Sequence, residues 1–286
     1  MVALPIARSV AELRARVAAW RRAGASIALV PTMGALHEGH LALVRRGLEL
    51  ADQVVASVFV NPTQFAPQED FDRYPRDEAG DAGKLAGAGC GLLYAPTVGE
   101  MYPEGFCTAI TLGGPAEGLC GAFRPQMFGG VALVVTKLLL QAQPDFAIFG
   151  EKDYQQLQVI RRLTRDLDIP VRVAGVPTVR EADGLAMSSR NKYLTAEERA
   201  HASELYRTLS ETAAALAEGA PAGAILERAM AKLAAARFSK IDYLELRDAE
   251  TLLPLQRVSR PARLLVAAWL GAVRLIDNLP VEPVLG

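Results

Sequence analysis

The chain has 286 residues, 51% of them hydrophobic and 22% charged, with a formal net charge of −1. That composition belongs to a globular protein with a substantial core. It supplies no global field for nucleic acid or an anionic membrane, so no nucleic-acid partner is expected and any phosphate must be held by a local site.

Residues 8–23 read as an amphipathic helix, with Val10, Leu13, Val17 and Trp20 on one face. Its early charges, Arg8, Glu12, Arg14 and Arg16, interrupt any signal-like core. No stretch reaches about 20 uninterrupted apolar residues, so no membrane partner is expected and the cytoplasm is the expected compartment. Residues 26–30 form a short buried strand closed by Pro31. Then comes the loop Thr32-Met33-Gly34-Ala35-Leu36-His37-Glu38-Gly39-His40, which holds two of the three histidines. Leu41, Val44 and Leu48 have helical spacing, so 40–51 reads as a helix. A helix start leaves backbone N–H groups unpaired, which makes an anion site. Two imidazoles three residues apart face one side, and glycines 34 and 39 allow a bulky ligand close to the backbone. Together these features describe a polyphosphate cradle. They do not describe zinc: a third ligand is not in view, and Glu38 is out of phase with the helical metalloprotease motif.

Residues 54–60 are almost wholly apolar, as a parallel strand covered on both faces should be, and Asn61-Pro62 ends them. Residues 77–88 read as a helix and 91–94 as another buried strand. Residues 131–141 are apolar nearly all round, so they form a buried helix whose Lys137 is either a snorkelling lysine or a site residue. A strand at 145–149 runs into Gly150-Glu151-Lys152-Asp153, followed by a helix at 154–167 and a strand at 171–176. This alternation argues for a parallel sheet with helices on both faces. From residue 180 the texture changes. Thr195 caps a long alanine-rich helix with Glu197 and Glu198 in its first turn. A second helix spans 221–236, and strands at 241–246, 264–268 and 273–276 look antiparallel. The expected fold is α/β: a Rossmann-like doubly wound parallel sheet in residues 1–178, with a smaller C-terminal α+β domain in 179–286. Trp20 and Trp269 read as core. Cys90, Cys107 and Cys120 fit neither a disulfide framework nor a metal pair and read as small buried hydrophobes in a reducing compartment.

Ligands of open parallel sheets bind beyond the carboxyl ends of the strands. The informative residues cluster there: Met33, His37 and His40; Asn61, Thr63 and Gln64; Gly150, Lys152, Asp153 and Gln156. Gly150 lets a nucleoside lie on the backbone, Lys152 is a mobile point charge for phosphate, and Asp153 can accept from a ribose hydroxyl or cap the next helix. Gln64 and Gln156, at the ends of two adjacent strands, suit a small polar substrate whose carboxylate must stay nucleophilic. Met187-Ser188-Ser189-Arg190-Asn191 puts two hydroxyls and a guanidinium in a row, able to wrap phosphate oxygens.

The loop with His37 and His40 resembles the His-x-Gly-His signature of the nucleotidylyl-transferase superfamily. With Val60-Asn61-Pro62-Thr63-Gln64-Phe65, Tyr74-Pro75-Arg76, Phe149 to Leu157 and Met187 to Asn191 in order, nearly the whole chain resembles the pantothenate synthetase (pantoate–β-alanine ligase) family. The resemblance implies that ATP activates pantoate as an acyl adenylate with release of pyrophosphate, and that β-alanine then displaces AMP. It implies Mg²⁺ with the ATP, a homodimer and a smaller lid domain. His40 and His37, Lys152 and Arg190 would be the catalytic groups. Met33, Gly34, Gly39, Gly150, Glu151, Asp153, Val179, Met187, Ser188 and Ser189 would join them around ATP. Gln64 and Gln156 would hold pantoate, with Gln64 also at β-alanine. No metal ligand is assigned among the side chains. One departure stands out: the family's usual Arg-Pro-x-His-Phe is Arg124-Pro125-Gln126-Met127-Phe128 here. Met127→His would then either improve catalysis or disturb a neighbourhood repacked around the thioether. Two other readings are a nucleotidylyltransferase with a stable adenylylated product, whose phosphate acceptor would call for extra Arg or Lys, and a catalytically silent nucleotide-binding regulator.

Overall fold

The computed structural model describes residues 4–66 and 71–283. Among them, strands β1 (Ile6–Ala7), β2 (Ile27–Thr32), β3 (Gln53–Val58), β4 (Leu92–Tyr94), β5 (Phe146–Gly150) and β6 (Arg172–Val176) form one sheet, ordered β1-β4-β3-β2-β5-β6. Every neighbouring pair in it is parallel. Three longer strands, β7 (Lys240–Asp248), β8 (Ala262–Leu270) and β9 (Val273–Val281), form an antiparallel sheet. The helices are α1 (Val10–Arg22), α2 (Glu38–Leu50), α3 (Glu78–Gly87), α4 (Val98–Met101), α5 (Leu119–Phe123), α6 (Met127–Ala142), α7 (Tyr154–Asp166), α8 (Ala196–Ala202), α9 (Glu204–Ala217) and α10 (Ala222–Ala235), with short 3-10 turns between.

The chain divides into two units. The first comprises Met1–Gly113, Arg124–Glu151 and Val159–Pro177. The second comprises Gly114–Phe123, Lys152–Gln158 and Thr178–Gly286. The two short excursions join the second unit through specific bonds. Gln155 is buried, takes the Cys120 N–H and donates to the carbonyls of Pro115 and Gly118.

In the first unit the chain steps from β2 to β3 to β4, then crosses back to β5 and β6. Right-handed crossovers in opposite directions put their helices on opposite faces, which makes the sheet doubly wound. Accordingly α1 packs on α6, and α2 on α3. The central strands are buried on both sides, so Ile27–Val30 and Val54–Ala56 are continuous apolar runs. Ser9 starts α1 with a reciprocal capping box to Glu12.

Several expectations need correction. Pro31 lies inside β2 and does not close it. Pairing of β2 with β5 has ended by Leu29, while Thr32 C=O still faces β3 and accepts from Phe59 N–H. The missing N–H of Pro31 therefore points where no ladder remains. In α2 the buried face is Leu43, Val44 and Gly47, and Leu48 is exposed. Gly47 sets that phase, because a Cβ there would stand 3.0 Å from Val54 and 3.3 Å from Ala28. Strand β1 has no counterpart in the sequence reading, since two residues carry no periodicity.

In the second unit, Leu205, Leu209, Leu216, Ile225 and Leu233 of α9 and α10 share one core with Leu244, Leu264, Val266 and Leu275 of the sheet. The long helix expected after Thr195 is two helices, although the capping box of Thr195 and Glu198 is present. Ser203 keeps near-helical dihedrals while its N–H turns to His201 C=O, so one turn of the ladder is interrupted. Trp20 and Trp269 are half-buried rather than core. Arg16 stands over the Trp20 ring, and Trp269 Nε1 donates to Asp242. Cys90 and Cys120 are buried, but Cys107 is exposed.

Candidate active site

In an open α/β sheet the strand order reverses at one point, and a crevice opens there. Here that point lies between β2 and β5. The histidine loop leaves β2, and Gly150 ends β5.

The loop is held by its own side chains. His37 is the N-cap of α2: Gly39 N–H donates to His37 Nδ1 at 3.2 Å, and His37 N–H donates to His40 Nδ1 at 3.3 Å. The rings lie 4.2 Å apart between centroids. This corrects the picture of an unpaired helix start, because Gly39 and His40 N–H are both bonded within the loop. In exchange, each imidazole has Nδ1 as an acceptor, so the neutral ring carries its proton on Nε2. Gly34 has φ +86°, and a Cβ there would stand 3.0 Å from Asp81 Oδ2. The missing side chain makes room for a carboxylate of the protein.

After β3, Asn61 is buried and its amide orientation is forced. Nδ2 donates to Gly130 C=O at 3.1 Å, while Oδ1 accepts from Thr63 N–H and from Tyr102 OH. Backbone groups of fixed polarity thus dictate that Asn61 Nδ2 also meets Gln64 Oε1, at 3.1 Å. Gln64 Nε2 then lies 2.9 Å from Met33 Sδ. Gln64 is fixed with its donor end on the Met33 side. One expectation fails here: Gln64 and Gln156 do not follow adjacent strands, because β2 lies between β3 and β5.

Met127 begins α6 and is 8% exposed. Arg124 Nη1 lies 2.6 Å from its sulfur, and Nη2 donates to Gln64 C=O at 3.4 Å. The thioether thus fills a buried corner beside the Gln64 backbone, which favours the repacked reading. Met127→His places two polar nitrogens there, at about 1–3 kcal/mol for each left unpaired. The melting temperature should fall, by about 2–4 °C per kcal/mol. Pantoate kcat/KM should stay within about threefold of the parent. A rise of tenfold would show that the usual histidine contacts substrate. Lys137 lies on α6 with its Nζ 5.0 Å from the Phe106 ring centroid.

In the second unit, Lys152 and Asp153 lie in a 3-10 turn, Glu151–Asp153, leading into α7. Asn278 of β9 donates to Lys152 C=O at 2.9 Å, and Arg263 of β8 donates to Asn278 at 2.6 Å. Lys152 and Gln156 are half-buried, and Asp153 is exposed. Val179 and Met187 are brought together, with Met187 N–H donating to Val179 C=O at 3.0 Å. This narrow hairpin is anchored by Arg180, which pairs with Asp277 at 2.6 and 2.9 Å. It presents Ser188, which caps the 3-10 turn Ser189–Tyr193 through Arg190 N–H. Asn191 ties the turn back to Glu181 and Ala186.

The first unit is thus a doubly wound parallel sheet with the His-x-Gly-His loop leaving β2 at its switch point. The model of the family described as pantoate-beta-alanine ligase matches residues 5–280. The pantothenate synthetase of Paramagnetospirillum magneticum is 63% identical over 281 residues, covering 98% of this chain and 99% of that protein. The solved pantothenate synthetase of Thermus thermophilus has 50% identity and a TM-score of 0.91, covering 98% of this chain and all of that one. The pantoate-beta-alanine ligase of Francisella tularensis, complexed with beta-gamma ATP and beta-alanine, has 31% identity and a TM-score of 0.80, covering 97% of each chain. The chain belongs to the pantoate–β-alanine ligase family. Its activity is the ATP-dependent condensation of pantoate with β-alanine to pantothenate.

Proposed function

We propose that the condensation runs through an acyl adenylate. The pantoate carboxylate attacks the α-phosphorus of ATP and pyrophosphate leaves; the amine of β-alanine then displaces AMP. The observation that carries this reading is the paired-imidazole loop at the switch point of the sheet. In-line attack spreads negative charge over the phosphate oxygens, so placed donors are the main demand. His40 Nε2–H, with Nδ1 occupied by His37 N–H, is the donor to those oxygens, and His37 stands beside it. Lys152 supplies a charge to the α-phosphate. Ser188, Ser189 and Arg190 bind the triphosphate. Met33, Gly34, Gly39, Glu151 and Met187 line the nucleotide, and Gly150, Asp153 and the Val179 backbone take the adenosine. Gln64 and Gln156 hold pantoate as neutral partners that leave its carboxylate nucleophilic, and Gln64 also meets β-alanine. The Francisella homologue's complex with beta-gamma ATP and beta-alanine supports this assignment of ligands.

Among the described residues no group of three His, Cys, Asp or Glu side chains could hold a metal ion. Mg²⁺ is proposed to arrive on the ATP phosphates, as is usual for that ion. It would neutralise phosphate charge there. A homodimer is proposed from the family resemblance, and the cytoplasm from the three free thiols. No helix of the described residues is long and apolar enough to cross a membrane.

Chromatography of a completed reaction should give AMP and pyrophosphate in a one-to-one ratio with pantothenate. Stoichiometric ADP and phosphate would replace the acyl adenylate by an acyl phosphate.

A further inference from the structure

Asp81 lies in the first turn of α3 and is 1% exposed. Its Oδ2 accepts from Ala35 N–H and its Oδ1 from Leu36 N–H, both at 2.8 Å. One helical turn on, Lys84 Nζ donates to Leu36 C=O at 2.8 Å and lies 3.9 Å from Asp81 Oδ1. The segment they grip is strained: Gly34 and Ala35 have φ of +86° and +51°, and the left-handed region is disfavoured for a residue with a Cβ. Successive N–H groups in that conformation converge and form a natural anion nest. Asp81 fills this nest with a charge belonging to the protein. The next residue is His37, whose N–H and ring hold His40 and α2 in place.

We propose that Asp81 and Lys84 are positioning residues for adenylation. They hold residues 34–36 in the strained form that presents His37 and His40, and they keep the nest from capturing a phosphate in a wrong place. The proposal rests on the histidine loop being the adenylating site. A carboxylate suits the task because two N–H donors need two acceptors on one rigid group; an amide offers one acceptor and turns a donor on the other N–H. Lys84 offsets part of the buried charge and fixes the carbonyl just before His37.

The test compares Asp81→Asn and Lys84→Met with the parent, by AMP formation at saturating substrates and by ¹⁵N NMR of the imidazoles. The chain has three histidines, so the ring signals are readily assigned. In Asp81→Asn, kcat should fall by about tenfold to a hundredfold, as expected when a reacting group is misplaced. The pantoate KM should stay within about threefold, because Gln64 is held separately. His40 should change from a single Nε2–H tautomer to a mixture. Lys84→Met removes a half-exposed side chain, so it should fold normally and lose about threefold to tenfold in kcat, the span of one hydrogen bond. If Asp81→Asn does not fold, Lys84→Met decides. A folded variant with parental kcat and unchanged histidine signals overturns the proposal. If the parent protein forms no AMP, the adenylation reading fails instead. The NMR comparison still judges the clamp: unchanged His40 signals in the variants overturn it.

Discussion

His40→Ala is expected to slow AMP formation by about 10²–10³, or about 2.7–4 kcal/mol, the usual loss when one transition-state donor is removed. The imidazole has two jobs, because its Nδ1 also accepts from His37 N–H. Alanine removes both, so part of any effect could come from a loosened helix start, where losing a cap costs about 0.5–2 kcal/mol. His40→Asn separates the jobs. Its amide oxygen can replace Nδ1 as the acceptor, but nothing reaches where Nε2–H stood. Catalysis by the donor predicts that asparagine restores the melting temperature while the rate stays as low as with alanine. If asparagine restored the rate as well, His40 would be a structural cap. Single-turnover AMP formation and thermal melting on the two variants supply the readings.

Gly130→Ala is expected to damage both stability and pantoate use. A Cβ at this position in α6 would stand 2.2 Å from Thr63 O, 2.4 Å from Thr63 C and 2.7 Å from Gln64 N. These are backbone atoms, so no side chain can swing away. Overpacking of this kind costs about 1–3 kcal/mol, and more where backbone must move. The displaced piece is the turn carrying Gln64, and Gly130 C=O is one of the groups that orient Asn61 and, through it, the Gln64 amide. Melting should drop by about 2–4 °C for each kcal/mol lost, and the pantoate KM should rise well before the ATP KM. A variant that melts and binds pantoate like the parent would show that Gln64 does not depend on this contact.

The parts legible in the sequence were those whose signal is local. The buried strands announced themselves as apolar runs between helical periods, and His-x-Gly-His announced a loop between a strand and a helix. What was not legible depends on partners far away in sequence. Asp81 meets residues 45 and 46 positions earlier, and no pattern within α3 marks it as the clamp. Tyr102 reaches Asn61 from 41 positions away. Gln155 and Gln156 are neighbours of identical chemistry; only the phase of α7 decides that Gln155 is buried and collects the carbonyls of Pro115 and Gly118. The misplaced face of α2 has the same origin. Leu48 fits a helical stripe, but Gly47 allows the close approach that turns the helix.

The most direct test of adenylation is exchange of labelled pyrophosphate into ATP. A reversible first step that needs only pantoate predicts exchange with ATP and pantoate, none without pantoate, and no requirement for β-alanine. Exchange that appears only when β-alanine is added would contradict a separate adenylate, and exchange without pantoate would contradict attack by its carboxylate.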